Sequence, residues 1–342
     1  MELRSLVKEL EEQKYRYRDI VANTRDLAAR PDVMEGLVID VRGFGSYVPT
    51  DWAHGQIAEK HGIPKKYYDR MRQAGRFDLL ADNINAWFPS DGRRLIRTID
   101  DNMRAYLSDR FRCLDNYDLL FMAMDEFERI GGIKLHSVEV SETMLYIKAI
   151  SENLTDAIKG DDVFYGGIII RNSEVGASSL QIQPFAYRVL CRNGLIGDQI
   201  LRVVHVGSRL EEGVIDWSDR TRRLEDELIW SKAKDAIRAS LNPDKFMEWM
   251  GQIKQTTQVK LPEPTKVVDK ICATYNIPES RKEELLLHFE GDTQYDLVNA
   301  ITRTARDIEN PDDRVKMEEF GGLVLRLKPE QIGGELVEAA EP

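Results

Sequence analysis

Val163-Phe164-Tyr165-Gly166-Gly167-Ile168-Ile169-Ile170 leads into Asn172-Ser173-Glu174-Val175-Gly176 and then Leu180-Gln181-Ile182-Gln183, and this stretch decides the fold class. The first segment is short, apolar and β-branched and ends in polar residues, which predicts a buried strand. Asn172, Ser173 and Gly176 carry turn chemistry. Alternation from Leu180 predicts a second strand, and Pro184 is expected to end it. Phe185 to Leu195 reads as a helix closed by Asn193-Gly194, a pair at ease in the left-handed region. His205 stands eleven residues beyond Gly194 and ends a run dense in polar groups.

Upstream, Ile133–Val140 and Met144–Ile150 predict two more strands around Ser141-Glu142-Thr143, with residues 151–162 as a polar connection. Leu95–Ile99 and Met103–Leu107 predict an antiparallel hairpin across Asp100-Asp101-Asn102, and Leu37–Val41 a strand before Gly43. Trp52–Ala74 reads as helix, Gly62 turn, helix, the second helix carrying Lys65, Lys66, Arg70 and Arg72. Ser90-Asp91-Gly92 predicts a turn. Downstream of Glu211-Glu212-Gly213 the spacing becomes helical, with stops at Asn242-Pro243, Pro278, Gly291 and Asn310-Pro311, and Val315–Leu327 fits a short helix or strand. The expectation is an α+β protein, mainly antiparallel sheet with helices in the N-terminal two-thirds and helical afterwards. Its parts would be a helical arm at 1–35, a core at 36–212, a helical domain at 213–328 and an acidic disordered tail at 329–342.

At 342 residues with 42% hydrophobic content, the chain can bury a sizeable core. No apolar run is long enough to span a bilayer. The N-terminus has no signal-peptide pattern. Cys113, Cys191 and Cys272 are odd in number and far apart, which argues for a reducing compartment and against a disulfide framework or a zinc finger. The net charge of −11 opposes general nucleic-acid binding. Local charge differs: residues 60–76 hold six basic side chains against Asp69 alone.

Two sets of candidate site residues follow. Arg93, Arg94, Arg97, Arg104, Arg110 and Arg112 stand on or beside one hairpin with Tyr106 and Phe111 among them. Guanidiniums for phosphates and rings for bases suit a single-stranded nucleic acid, and Lys65, Lys66, Arg70 and Arg72 would extend that face. The competing readings are solvated helix surface for that extension and, for the hairpin, neutralisation of half its charge by Asp100, Asp101 and Asp109. The second set is Asn172, Ser173, Arg188, Cys191, Asn193 and His205. Cys191 and His205 superficially match a cysteine-nucleophile pair, against which stands inert packing of a cysteine beside Leu190. The chain has no phosphate loop, dinucleotide fingerprint, His-Glu-x-x-His or Cys-x-x-Cys, so no metal, cofactor or catalytic residue is expected.

Asn172-Ser173-x-x-Gly176, Arg188-x-x-Cys191-x-Asn193-Gly194 and His205 resemble the phage- and plasmid-borne domain-of-unknown-function family 932. The likeness extends to Gly62-Ile63-Pro64-x-x-Tyr67, Arg104-Ala105-x-Leu107-Ser108-Asp109-Arg110-Phe111 and Asn299-Ala300-Ile301-Thr302. It implies a mobile-element, cytoplasmic setting and supplies no activity. The strand order also resembles the β-β-β-α core of single-strand-annealing recombination mediators. The expected function is therefore non-enzymatic binding of single-stranded DNA, as a homo-oligomer, in phage or plasmid replication or recombination. The alternatives are a protein-interaction module, such as an inhibitor of host defence with a host or phage protein partner, and a Cys/His hydrolase.

Overall fold

The computed structural model describes residues 3–88, 92–205 and 219–336. The boundary expected at residue 212, Gly207, the Ser90-Asp91 part of the expected turn and the last six residues of the tail lie outside that range. The fold is α+β, as expected, and is built on two sheets.

Helix α1 (Leu3–Arg16) runs directly into strand β1 (Tyr17–Asn23), and a single 3-10 turn leads to β2 (Leu27–Asp32). The expected helical arm therefore ends at Arg16. The reason is a period of two: Ile20 and Ala22, then Leu27 and Ala29, are buried between exposed neighbours, which is strand spacing. Asn23 closes the turn by accepting from Arg25 N–H at 3.0 Å. After β3 (Gly36–Val41) and β4 (Gly45–Pro49) come helices α2 (Asp51–Lys60), α3 (Lys65–Gln73) and α4 (Phe77–Asn85). The hairpin of β5 (Arg93–Ile99) and β6 (Asn102–Ser108) completes a sheet of order β1-β5-β6-β4-β3-β2, in which only β4 and β6 pair in parallel. Its core holds Ile39, Ile57, Tyr68, Ile84, Ile96 and Tyr106.

Helix α5 (Asn116–Ile130) leads to the second sheet, a meander of β7 (Ile133–Val140), β8 (Leu145–Ala157), β9 (Val163–Asn172), β10 (Leu180–Arg188) and β11 (Asn193–Ile196). Strand β12 (Leu201–Val203) also pairs with β10. Two expectations are corrected. Phe185–Leu195 is not a helix, and residues 151–157 belong to β8 rather than to a connection. Leu180, Ile182 and Ala186 join the main core while Phe185 joins the cluster on the opposite face, so strand alternation continues past Pro184. That proline is tolerated because Ile182 and Pro184 turn their carbonyls to the β11–β12 side, accepting from Ile200 and Gly197. The missing N–H of Pro184 falls on that same side, between the stretches paired to β11 and β12.

The remaining helices are α6 (Asp219–Ser240), α7 (Pro243–Thr256), α8 (Pro264–Thr274), α9 (Glu279–His288), α10 (Gln294–Arg306), α11 (Pro311–Leu325) and α12 (Pro329–Ile332). Strand β13 (Val259–Lys260) pairs with β14 (Glu335–Leu336), so residues 329–336 of the expected disordered tail are ordered. Nor does a helical domain stand apart from residue 213. Ile147, Ile168 and Ile182 of the second sheet share one core with Ile237, Met250, Leu297 and Ile301. The separate core is that of the first sheet. Among the described residues, no helix is long and apolar enough to cross a membrane.

Helix α11 runs over the sheet's other face. Asn310 caps it, accepting from Asp312 and Asp313 N–H at 2.9 and 3.1 Å, and Pro311 occupies its first turn. Asp312 accepts from Tyr146 Oη at 2.8 Å near the β7–β8 turn, Glu318 reaches β8 and Glu319 reaches β9. At Gly322 a side chain would overlap the backbone oxygen of Ile196 on β11, so only glycine permits this approach.

Candidate functional site

The basic hairpin expected to face a nucleic acid faces inward at its centre. Alternation on β5 sends Ile96 to the core beneath α2–α4 and Arg97 to the opposite side. Arg97 is 2% exposed. Its Nε donates to Asp19 Oδ1 at 2.8 Å, Nη2 to Asp115 Oδ1 at 2.7 Å and Nη1 to the Glu174 carbonyl at 3.0 Å. Arg104 Nη2 donates to Glu174 Oε2 at 3.0 Å, and its guanidinium lies over the Tyr17 ring. Tyr106 is fully buried and its hydroxyl meets His61 Nε2 at 3.0 Å, so it stacks no base. These three assignments are corrected: buried charges require partners, and these have them inside the protein.

The other members are dispersed. Arg93 pairs with Asp109, Lys65 with Asp69 and Arg72 with Asp51. Arg94 lies over the Tyr106 ring. Phe111 stacks on His205 with ring centroids 5.0 Å apart, and Arg112 N–H donates to the His205 carbonyl. Lys66, Arg70 and Arg110 are exposed.

The central set divides between the two ends of β9. At one end Asn172 Nδ2 donates to the Leu114 carbonyl at 2.7 Å and Asn116 Oδ1 at 2.9 Å. Ser173 Oγ accepts from Val175 and Ala177 N–H, and His205 Nδ1 lies 3.0 Å from the Arg112 carbonyl. Glu174, which sequence reasoning passed over, is 2% exposed and accepts from Asn116 N–H at 2.6 Å at the start of α5. Trp52 and Gln56 of α2 both donate to the Val175 carbonyl. This end ties the two sheets together.

At the other end Arg188 grips Asp162 through Nε at 2.5 Å and Nη2 at 2.8 Å, and Tyr295 of α10 donates to the same carboxylate. Arg188 Nη1 is 3.3 Å from Cys191 Sγ, and Asn193 Nδ2 donates to Thr302 Oγ1 at 2.6 Å. Arg188 is paired with Phe164, eight residues along β9 from Asn172; at strand rise that is about 26 Å. Cys191 and His205 therefore stand at opposite ends of the sheet and form no catalytic pair. Burial also lowers the pKa of His205.

A different constellation lies between β7–β8 and α11. Lys148 Nζ sits 2.7 and 2.6 Å from the two Glu318 oxygens, with side chains only 5% and 6% exposed. Burial pushes the Glu318 carboxyl up while the Lys148 ammonium pulls it back. The pair borders a pocket of about 200 Å³ that Arg192, Arg306, Arg314 and His136 also line. Arg314 pairs with Glu139, and Arg306 Nη1 donates to the Cys191 carbonyl at 3.1 Å. Arg192 holds a left-handed φ of 53°. The His136 ring lies 4.4 Å from that of Tyr187, and burial, then Lys148, lower the His136 pKa. Asn193 Oδ1, buried at the pocket wall, has no hydrogen-bond partner among the described residues. Four cations thus face three carboxylates, Glu139, Glu318 and the Asp307 that pairs with Arg306 at 2.9 Å, an excess of one positive charge, and a concave site with excess positive charge favours anions. The signal available in the sequence was a lysine inside an apolar strand, needing a partner, whereas Glu318 stands among charged neighbours and gave none.

Among the described residues no group of three or more His, Cys, Asp or Glu is placed to hold a metal ion. Comparison with protein-family models, with curated proteins and with solved structures finds no match.

Proposed function

We propose that the chain is a non-enzymatic binding protein for single-stranded DNA, and that it holds the phosphate backbone at the pocket between β7–β8 and α11 rather than along the β5–β6 hairpin. The observation that carries this reading is the excess of Lys148, Arg192, Arg306 and Arg314 over Glu139, Glu318 and Asp307 beside the Tyr187 and His136 rings. Guanidinium forks suit phosphate oxygens, and rings at the rim give a base a surface to stack on. Action in phage or plasmid replication or recombination, inside the bacterial cytoplasm and as a homo-oligomer, follows from the resemblances and belongs to the same proposal.

The test is binding of a fluorescent single-stranded oligonucleotide across a salt titration, with duplex as control. An Arg192→Glu/Arg306→Glu variant removes two exposed cations of the pocket. Binding should weaken, and the salt slope should fall by about 0.7 for each phosphate that the variant no longer neutralises. Unchanged binding in the variant removes the pocket from the reading, and no binding at low salt removes the reading itself. A second reading, a protein-interaction module of the host-defence-inhibitor kind, is favoured by Leu224 and Leu228. They are 53% and 54% exposed, one turn apart on α6. Replacing both with Asp should abolish capture of a protein partner and leave oligonucleotide binding unchanged.

A further inference from the structure

Helix α11 has a second concavity on its other flank. Arg314 and Glu318, four residues apart, face the anion pocket. Lys316, Met317, Phe320 and Leu323 lie on the opposite side of the same helix and border a cleft of about 760 Å³. The cleft continues over the β11–β12 connection at Asp198-Gln199 and over the α8–α9 turn at Tyr275-Asn276-Ile277. Its volume is that of small-molecule sites, which are mostly apolar with a few placed polar groups.

The lining selects a ligand class. Arg281 pairs with Glu284 at 2.7 Å, Lys316 with Asp313 at 3.0 Å and Arg326 with Asp198 at 3.0 Å. The cations at this cleft are already balanced, in contrast to the anion pocket, so it favours a body without net charge. The Tyr275 ring, 36% exposed, offers apolar surface, and the buried Phe320 ring backs it at 5.6 Å. Gln183 borders the cleft at 4% exposure, and its Nε2 donates to the Gly197 carbonyl at 3.0 Å. Its Oε1 has no hydrogen-bond partner among the described residues. An unpartnered buried acceptor is costly unless something donates to it. Gln199 adds a second amide at the opening.

We infer that this cleft binds a planar, uncharged heterocycle bearing N–H donors, namely a purine base. The Tyr275 ring takes one of its faces, and the Gln183 carbonyl accepts from its exocyclic amine or ring N–H. The base comes either from a free nucleoside or from a strand whose phosphates lie at the anion pocket. The second source rests on the single-strand reading; the first does not.

The experiment uses the full chain and two fluorescent probes, 2-aminopurine riboside and an oligonucleotide with one internal 2-aminopurine. Tyr275→Ala removes a ring that is 36% exposed, and thermal unfolding checks that the variant stays folded. A saturable emission change with the riboside, weakened at least tenfold by Tyr275→Ala and unaffected by Arg192→Glu/Arg306→Glu, supports a free-nucleoside site. A change only with the oligonucleotide, reduced by both variants, supports the base of a bound strand. No saturable change with either probe overturns the inference, as does a change that Tyr275→Ala leaves intact. If unmodified labelled strands still bind in that case, the cleft fails and the single-strand reading stands. Riboside binding without strand binding means the reverse.

Discussion

Replacing Glu318 by Leu should destabilise the protein by roughly 3–5 kcal/mol, because it strands the Lys148 ammonium where little water reaches. Lys148 is 4% exposed, and its ammonium lies 5.3 Å from the centre of the Phe185 ring. Without its counter-charge, the ammonium must deprotonate, draw water in from the pocket or drag α11 from the sheet. The double replacement Lys148→Met/Glu318→Leu removes both charges at similar volume. It should recover most of the loss, since apolar substitutes for buried pairs are commonly neutral or stabilising by about 1–4 kcal/mol. Urea unfolding followed by tryptophan emission reads both; at roughly 1–3 kcal/mol per molar, the single variant shifts the midpoint by about 1 M or more. The anion pocket adds a second expectation. In Glu318→Gln the ammonium keeps a polar neighbour but loses its charge partner, so phosphate should stabilise this variant more than the parent. At a hundredfold excess over its dissociation constant, phosphate would contribute about 2.7 kcal/mol, whereas chloride at equal ionic strength would not. A Glu318→Leu loss below about 1 kcal/mol would show that water screens the pair. Phosphate acting no better than chloride would refute the pocket as an anion site.

Arg97→Met should cost about 1–3 kcal/mol by leaving the Glu174 carbonyl without its donor and by unpairing Asp19 and Asp115, whose partial exposure lets water reach them, seen as a lowered melting temperature with or without DNA. Gly322→Ala should cost at least about 1–3 kcal/mol because its methyl meets the Ile196 carbonyl. Gly251→Ala on α7, where a methyl meets nothing within 4 Å, should instead stabilise by about 0.5–1 kcal/mol; urea unfolding separates the two. Burial holds His54 down at about 3 and His61 at about 4, against an ordinary 6.5. Above pH 6.5 both states are neutral there; below it the unfolded chain takes protons that the folded chain refuses. Stability should fall as pH drops from 6.5 towards 4, and His54→Gln should flatten that slope by up to about 1.4 kcal/mol per pH unit; equal slopes in parent and variant would contradict the burial argument.

The strands that open the central stretch were legible because their apolar runs are short and β-branched. The β5–β6 hairpin was legible from its turn, where Asp100 takes a φ of 48°. Pro184 and the closing Asn193-Gly194 pair suggested a helix where β10 continues. The error came from treating a proline as a stop when the decisive fact was which neighbour its nitrogen faces, and that is a property of the assembled sheet. Helix α11 was left open between helix and strand because it is buried almost all round. Val315, Met317, Glu318, Phe320 and Val324 are all covered, so no amphipathic stripe marks it. The site suffered most. Residue type identified Arg97, Arg104 and Tyr106 as cationic and aromatic, but only alternation along β5 and β6 decides that they point inward. The pairing of Lys148 with Glu318 spans 170 residues, and no local pattern links two charges that far apart.

The polar groups that stood out in the sequence are mostly ones the fold satisfies. Arg97 and Arg104 converge on the loop after β9, and Arg188, Asp162 and Tyr295 fasten the other end of that sheet to α10. A charge consumed by such a joint has little capacity left for a ligand, because a phosphate would have to displace a carboxylate already in place and already desolvated. Binding capacity belongs where charges of one sign outnumber their partners. In a chain of net charge −11, an exposed cation gains little over the surrounding acidic field, since water and salt screen it within about 8–10 Å. A concave site with low-dielectric walls is screened less and focuses its field outward. The pocket beside α11 meets that condition through Arg192 at its opening, because Lys148, Arg306 and Arg314 are matched by Glu318, Asp307 and Glu139. The protein's acidity therefore bears on where an anion would bind more than on whether one binds. Strand binding confined to this pocket would neutralise few phosphates and show a shallow salt slope, unlike the steep slope of a broad basic face.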